Sequence, residues 1–344
     1  MSGGRLPRRL RRMAGRLRGG NGRDPLALTP EDRRYLTEHY DASVPLPPGA
    51  EEELNERNPR LRELRESYAA LDIPASTGSR WRREHVDAFL DLRYFRGETL
   101  ITWHYRELPR TTRLKYFVLM RYVAGRDALG LLEELEEDGA FGCWTYSYPG
   151  YGRFSRDLLE SVNEISFLER HLRLSERERF AVIDIGAGYG RLAHRMATAF
   201  DNLADYCCLD AIPESTFLSE YYLRHRDCAP PARVVSLDAV GELEPGGFDL
   251  AVNIHSFSEC TRQAIAWWVD QLRRLRVPEL LVIPNEPEEL LSLEPDGSRL
   301  EFAQLLEDAG YRLVVREPVV GDPAVRELVP LEDNFHLFRH EDAG

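Results

Sequence analysis

The stretch FAVIDIGAGYGRLAHRM, residues 180–196, runs from an apolar strand through a glycine-rich turn into a helix. The turn contains Gly186, Gly188 and Gly190. Because glycine has no Cβ and tolerates positive φ, such a turn lets a ligand lie against the main chain at the N-terminus of a helix. In a dinucleotide-binding fingerprint the third glycine comes one residue later, so this spacing disfavours NAD and FAD.

An acidic residue ends the next predicted strand. Asp210 closes the run YCCLD, 24 residues after Gly186. In an open α/β sheet, an acid at this place can accept hydrogen bonds from both hydroxyls of a ribose. Its alternative role is to cap the helix that begins near Pro213. Together with the glycine turn, Asp210 predicts a nucleoside-binding site.

Strand and helix patterns alternate after residue 178, which predicts an α/β fold with a Rossmann-like sheet covered on both faces. The segment between the last two strands, GDPAVRELVPLEDN, is too short for a full crossover helix, so we expect those strands to pair antiparallel. Strands are predicted at 180–185, 205–209, 232–236, 248–253, 279–284, 311–317 and 334–339, and helices at about 190–200, 214–226, 258–275 and 298–309.

The chain before the sheet divides into two parts. Residues 1–50 form an arginine-rich tail and a proline-rich linker, and residues 51–172 show mainly helical patterns ahead of the sheet domain at 173–344. Residues 1–23 hold eight arginines and no acid. An amphipathic helix there could make a weak contact with an anionic membrane, although its glycines favour a disordered, solvated tail.

The composition argues against several classes of protein, among them membrane-spanning and nucleic-acid-binding proteins. The 344 residues carry a net charge of −13, and no apolar run reaches the length of about 18 residues that spans a bilayer. An acidic body opposes binding to nucleic acid. The five cysteines lack zinc-ligand spacing, and no apolar secretory segment follows the charged start. We therefore expect a cytoplasmic protein with a small-molecule partner, whose oligomeric state the sequence leaves open.

Several short motifs resemble those of class I S-adenosylmethionine (SAM)-dependent methyltransferases. They are DIGAGYG at 184–190, LD at 209–210, SLD at 236–238 and FDLAVNIHSFSE at 248–259. More narrowly, SRDLLESVNEISFLER at 155–170 and NIHSFSE after the fourth strand resemble the bacterial family of sugar O-methyltransferases. The resemblance covers about residues 140–344. It implies SAM as the cofactor, methyl transfer as the activity and a seven-stranded sheet whose last strand is antiparallel.

The resemblance also implies which residues contact the cofactor. Asp238 would accept a hydrogen bond from the adenine amino group, or alternatively close a loop in an Asx-turn. The full set is Asp184, Gly186, Gly188 and Gly190 near the methionine part, Asp210 at the ribose, Leu237 and Asp238 at the adenine, and Asn253 at the amino-acid end.

Methylation of a hydroxyl benefits from a general base, and His255 is the candidate. It follows the fourth predicted strand, at the edge where open α/β sheets bind ligands. A substrate hydrogen bond and a purely structural role are the alternatives. Glu259 lies four residues later and could orient the His255 ring, or serve only as a first-turn glutamate favoured by the helix dipole.

The aromatic loop before the sheet supplies the candidate substrate contacts. Trp144 and Tyr148 could stack on a sugar, or alternatively anchor the helical region to the sheet. Arg156 and Asn163 lie two turns apart on the next predicted helix and form the candidate polar pair, with the arginine able to grip a phosphate. No cluster of carboxylates suggests a metal site, so we expect a reaction independent of metal.

The sequence therefore predicts a SAM-dependent O-methyltransferase that acts on a hydroxyl of a sugar or sugar-containing metabolite. Two alternatives stay open: a SAM-dependent enzyme that methylates oxygen or nitrogen of a non-sugar molecule, and a nucleoside-binding scaffold protein without turnover. The motifs do not identify the sugar or the position that is methylated.

Overall fold

The computed structural model describes residues 43–97, 109–135, 137–285, 289–329 and 331–342, with the side chains at 88–89 and 109–112 left out of that description. The predicted arginine-rich tail and its membrane contact lie outside these ranges. Among the helices that the structure describes, none is long and apolar enough to cross a membrane.

One mixed sheet forms the centre of the C-terminal half. Its seven strands are β1 Phe180–Ile185, β2 Leu203–Leu209, β3 Ala232–Val235, β4 Leu250–Ile254, β5 Glu279–Ile283, β6 Tyr311–Pro318 and β7 Asn334–His340. The order across the sheet is β3-β2-β1-β4-β5-β7-β6. Strands β1 to β5 pair in parallel, whereas β7 runs antiparallel to both β5 and β6. The predicted seven-stranded, Rossmann-like α/β fold is confirmed.

Helices cover this sheet at the places where the strands connect. They are α8 Arg191–Ala199, α9 Pro213–His225, α10 Arg262–Leu275, α11 Ala303–Asp308 and α12 Pro323–Leu328. Two of these helices, α10 and α11, begin four or five residues later than the sequence predicted. The predicted 258–275 helix starts at Arg262 because Thr261 caps it, accepting a hydrogen bond from the Ala264 N–H. Residues Ser256–Glu259 instead form a separate 3-10 turn.

Upstream of the sheet, the structure is helical in the ranges described. The helices are α1 Ala50–Glu53, α2 Pro59–Ala69, α3 Pro74–Thr77, α4 Arg83–Phe89, α5 Pro109–Ala124, α6 Leu131–Glu134 and α7 Arg156–Leu172. Ser155 caps α7 as predicted, because its hydroxyl accepts a hydrogen bond from the Leu158 N–H at 3.0 Å. Helix α2 packs against α9, and α3 packs against α10.

A buried ionic cluster connects the upstream region to the sheet domain. The side chains of Arg96 and Glu137 are both 0% exposed, and the Arg96 Nη2 lies 2.8 Å from Glu137 Oε2. Arg195 of α8 also contacts the Glu137 carboxylate, at 3.2 Å, and the Ser155 hydroxyl donates to it at 2.5 Å. Each charge thus has a partner where water cannot reach, as buried charges require.

Candidate active site

The main cavity lies where the carboxyl ends of the parallel strands meet the upstream helical region. Its volume is about 360 Å³, within the size range of small-molecule sites of roughly 300–1,000 Å³. Of the predicted site residues, the structure places seven around this cavity: Gly186, Gly188, Asp210, His255, Glu259, Trp144 and Arg156.

The glycine turn forms one wall of the cavity. Gly186 has a φ of +78°, and a Cβ there would lie 2.3 Å from the Cβ of Ser256. Gly188 has a φ of +59°, and a Cβ there would meet no heavy atom within 4 Å. The first glycine is required by close packing of the two loops, whereas the second leaves open space beside the main chain.

We expect alanine substitutions at these two glycines to differ in stability. Gly186→Ala should lower the free energy of unfolding by about 2–5 kcal/mol, because it combines positive φ with a clash against Ser256. Gly188→Ala should cost only the positive-φ term, about 1–2 kcal/mol. Urea unfolding of the two variants beside the wild type measures the difference, and equal losses would contradict the contact with Ser256.

Asp210 joins the turn to the next loop. Its Oδ2 accepts from the Gly188 N–H and its Oδ1 accepts from the Ile212 N–H, both at 2.9 Å. Burial raises the pKa of the Asp210 carboxyl to about 7, although these backbone hydrogen bonds lower it. Since a carboxylate offers about four lone-pair positions, Asp210 retains capacity for two further donors. Asp210 does not cap the helix that begins at Pro213, whose N-cap position is Ile212 without a side-chain cap hydrogen bond, and its role at a ribose stays a prediction.

Asp184 and Gly190 lie behind the turn and not at the cavity. Asp184 is buried at the end of β1, where its Oδ2 accepts from the Tyr206 hydroxyl at 2.8 Å. Burial raises the pKa of Asp184 to about 7, against the effect of that hydrogen bond. A Cβ at Gly190 would lie 2.9 Å from Ser219 Oγ of α9. Both residues support the turn in this structure, and their contact with the cofactor stays a prediction.

The residues predicted to hold adenine do not reach the cavity. Leu237 is buried, and its N–H donates to the Tyr68 hydroxyl of α2 at 2.9 Å. Tyr68 also bonds the Thr216 hydroxyl at 2.8 Å, so α2 covers this end of β3. Asp238 is exposed to solvent at the start of the 3-10 turn Leu237–Glu242. The sequence could not show this, because Tyr68 comes from a distant part of the chain.

The Asn253 side chain connects the end of β1 to the turn that follows β4. Its side chain is fully buried, with Nδ2 donating to the Ile185 carbonyl at 2.8 Å and Oδ1 accepting from the Phe257 N–H at 3.0 Å. Both ends of the amide are thereby used within the fold. Asn253 of β4 therefore connects the end of β1 to the 3-10 turn after β4, and its position at the amino-acid end of the cofactor stays a prediction.

His255 stands at the end of β4 in the left-handed region, with a φ of +65°. Its side chain is 33% exposed, and Nε2 lies 3.3 Å from Asp333 Oδ2 in the loop before β7. Burial lowers the pKa of His255, but the hydrogen bond and charge of Asp333, with the charge of Glu160, outweigh it and raise the pKa overall. Sequence reasoning missed Asp333, since no local pattern links it to His255.

Glu259 does not orient the His255 ring. Its Oε2 instead accepts from the indole Nε1 of Trp81 at 2.5 Å, and its Oε1 lies 3.6 Å from Arg80. The predicted pairing fails because residues 256–259 form a 3-10 turn, which has a different spacing from an α-helix. Trp81 lines the cavity, and the sequence did not single it out.

Two of the four predicted substrate residues lie away from the cavity. Tyr148 donates from its hydroxyl to the Arg113 carbonyl and packs edge-on against Phe117 of α5. Asn163 donates to the Val319 carbonyl at 2.9 Å, beside the end of β6. The predicted Arg156–Asn163 pair is therefore not formed. Seven residues of helix separate the two side chains by about 10 Å along the axis, and only the first turn of α7 reaches the cavity.

Arg156 and Trp144 are the predicted substrate residues that do line the cavity. The Arg156 Nε donates to Glu160 Oε1 at 2.5 Å. Burial raises the pKa of Glu160, while the charges of Arg156 and Arg191 act in the opposite direction. In the residues that the structure describes, no three His, Cys, Asp or Glu side chains form a group suited to a metal ion.

Solved structures of low sequence identity match part of this chain. The [4+2]-cyclase SpnF is 15% identical, with a TM-score of 0.40 over 66% of this chain and 96% of that chain. A SAM-dependent methyltransferase from Aquifex aeolicus is 18% identical, with a TM-score of 0.40 over 54% of this chain and 93% of that one. Magnesium protoporphyrin IX methyltransferase (ChlM) from Synechocystis PCC 6803, with bound SAM, is 11% identical, with a TM-score of 0.40 over 54% and 83%.

No protein-family model matches this chain, and no curated protein matches it. The Rossmann-like fold follows from the strand order of the sheet itself.

Proposed function

We propose that this chain is a SAM-dependent methyltransferase that methylates a hydroxyl of a sugar or sugar-containing small molecule. One observation carries the proposal: the glycine turn with Asp210 lines the same cavity as His255, whose Nε2 lies 3.3 Å from Asp333 behind it. The first group suits a nucleoside, and the second suits removal of a proton from a hydroxyl.

The residues of the turn fit the nucleoside part of SAM. The open space at Gly188 gives room for ligand atoms against the main chain, and the spare lone pairs of Asp210 suit two ribose hydroxyls. When bound, SAM supplies an electrophilic methyl group on its sulfonium. Asp210 and the glycine turn would hold it, and the upstream region would exclude water from the other side of the cavity.

His255 is the proposed general base. When the proton of the neutral ring sits on Nε2 toward Asp333, the lone pair on Nδ1 is free to accept the proton of the acceptor hydroxyl. The Asp333 carboxylate then stabilises the imidazolium that forms, 3.3 Å from Nε2. With about a third of the side chain exposed, the ring can afterwards release its proton to water.

Two features favour a sugar as the acceptor. The motifs at 155–170 and 253–259 resemble the sugar O-methyltransferases. The cavity also combines the flat aromatic side chain of Trp144 with polar groups, among them Asp91 and Arg156. Aromatic faces suit the apolar faces of a sugar, and the polar side chains suit its hydroxyls.

The five cysteines are all buried free thiols, which suits the reducing cytoplasm as the location of the enzyme.

Transfer of a labelled methyl group tests the activity. The full chain is incubated with methyl-labelled SAM and a set of sugars, nucleotide sugars and glycosides, and the products are identified by mass spectrometry. Labelled methyl ether on a sugar supports the proposal. A labelled amine or non-sugar hydroxyl would overturn the acceptor, and binding of S-adenosylhomocysteine without any transfer, including to extracts of the host cell, would overturn the enzymatic role.

The role of Asp210 predicts a pH dependence of nucleoside binding. Because burial raises the pKa of Asp210 to about 7, the carboxylate that accepts two ribose hydroxyls is the major form above that pH and becomes protonated below it. We therefore expect the affinity for S-adenosylhomocysteine to fall as the pH drops from 8 to 5.5. Titration calorimetry across this range measures the change.

Asp210→Asn is the matched variant for this measurement. It should bind roughly tenfold or more weakly at pH 8, because hydrogen bonds to a charged group are lost, and its affinity should change little with pH. Asp184 also has a pKa raised to about 7, so a pH dependence that persists in Asp210→Asn would assign the effect to Asp184 instead.

A further inference from the structure

We infer that the upstream helical region supplies the surface on which the nucleobase of the cofactor stacks, and that the stacking residue is Trp81. This inference rests on the proposed function and identifies a residue for base recognition outside the sheet domain. Trp81 lines the same cavity as Asp210 and the glycine turn, although it lies in the loop before α4.

The position where the sequence predicted adenine is occupied by the protein itself. The Tyr68 hydroxyl accepts from the Leu237 N–H and bonds Thr216, so α2 closes the end of β3. Asp238 faces solvent. A base attached to a ribose at Asp210 therefore has to lie on the other side, beside Ile212 and the residues of the cavity wall.

The segment that carries Trp81 is fixed to that side of the sheet domain. The Arg80 N–H donates to the Glu259 carbonyl at 2.8 Å, and the Thr261 N–H donates to the Gly78 carbonyl at 2.6 Å. Ser79 and Cys260 form an antiparallel bridge between these two bonds. The backbone around Trp81 thus forms a short two-stranded connection with the loop after β4.

Trp81 lines the same cavity as the ribose position. Glu259, Cys260 and Asp210 line it as well. The Trp81 Nε1–H donates to Glu259 Oε2 at 2.5 Å, and the ring packs edge-on against His85 with 4.5 Å between centroids. Glu259 is then a positioning residue: it holds the indole where the base arrives.

Stacking on the nucleobase would account for an aromatic side chain at position 81. Stacking of a base on an aromatic side chain contributes about 1–3 kcal/mol and requires no particular hydrogen-bond pattern from the base. The upstream region would thus bind the cofactor as well as cover the acceptor.

Affinity for S-adenosylhomocysteine, measured by calorimetry on the full chain, tests the inference. Trp81→Ala should weaken binding by roughly 5- to 150-fold, whereas Trp81→Phe keeps a stacking ring and should stay within about threefold of wild type. Thermal midpoints of both variants show whether they are folded. If Trp81→Ala bound S-adenosylhomocysteine with wild-type affinity, the inference would be overturned. Equal losses of affinity in both variants would also overturn it, because they would assign the effect to the lost hydrogen bond to Glu259.

Tryptophan fluorescence gives a second readout that a structural role would not produce. Stacking should quench Trp81 when S-adenosylhomocysteine is added, so the quench should become smaller in Trp81→Phe, where only Trp144 and Trp268 still line the cavity. It should persist in the control Trp267→Phe, since Trp267 packs against Trp268 on α10 and does not line the cavity. A quench unchanged in Trp81→Phe would contradict stacking. If the wild type binds no S-adenosylhomocysteine at all, the proposed function fails instead.

Discussion

Replacement of His255 by asparagine should lower kcat for methyl transfer by about 10²–10⁴-fold, the usual contribution of a general base. Asparagine is preferred to alanine here because it tolerates the positive φ of +65° at this position. S-adenosylhomocysteine affinity should stay close to wild type, since Asp210 and the glycine turn are intact. Steady-state kinetics with the labelled cofactor, together with calorimetry, measure the two effects separately.

The pH profile distinguishes a base from a structural histidine. Because Asp333 raises the pKa of His255, the ring is protonated and inactive below that pKa, and the rate should rise with pH through it. Asp333→Asn removes the charge, so the pKa of His255 should fall and the acidic limb should move to lower pH, with a lower plateau. If the acidic limb of the pH–rate profile stayed in place in Asp333→Asn, or persisted in His255→Asn, the assignment of His255 as general base would be contradicted.

Removal of the Glu137 carboxylate should be among the most destabilising single changes in the chain. Glu137→Ala would remove the buried carboxylate that Arg96 and Arg195 share, although Arg96 would keep Asp138 and Asp157 at 3.4 and 3.2 Å, and breaking a buried pair costs about 3–5 kcal/mol. Urea unfolding at pH 7 measures the loss of unfolding free energy. Glu133→Ala is the control, because Glu133 is exposed on α6 and its loss should change stability by less than about 0.5 kcal/mol.

The same cluster predicts how stability responds to acid. Burial favours the protonated form, but the charges of Arg96 and Arg195 outweigh it and lower the pKa of Glu137 to about 2. A lowered pKa in the folded state stabilises the protein above the unfolded value of about 4.3, and this contribution is lost as the pH falls toward 2. The stability difference between wild type and Glu137→Ala should therefore shrink between these two pH values. A difference that is constant with pH would contradict the ionic pairing.

Local patterns predicted the strands and the turn well. The run FAVIDI is the observed β1, and the predicted antiparallel pairing of the last two strands is confirmed. Ser155 was identified as a cap from its own neighbourhood, because capping involves residues only three positions apart. The predicted first residue of a helix was wrong by a few positions where a turn precedes the helix, as at Arg262.

Site residues were predicted less well, for a reason that particular contacts make clear. Asn163 and Tyr148 have suitable chemistry, yet their donors bond the carbonyls of Val319 and Arg113 instead of facing the cavity. Glu259 was matched to a neighbour four residues away, whereas its partner Trp81 is far earlier in the chain. Polar side chains bond whatever group the fold brings near, so sequence spacing alone does not identify their partners.

Hydrophobic periodicity and glycine spacing act over a few residues, so the order of residues along the chain was enough to predict the seven-stranded sheet and its glycine-rich turn. Which side chains surround that turn depended on packing between elements distant in sequence. Tyr68 reaches Leu237, Trp81 reaches Glu259 and Asp333 reaches His255 only after the chain has folded. Such contacts exist only in three dimensions, and they decide which side chains surround the proposed nucleoside site and the proposed general base.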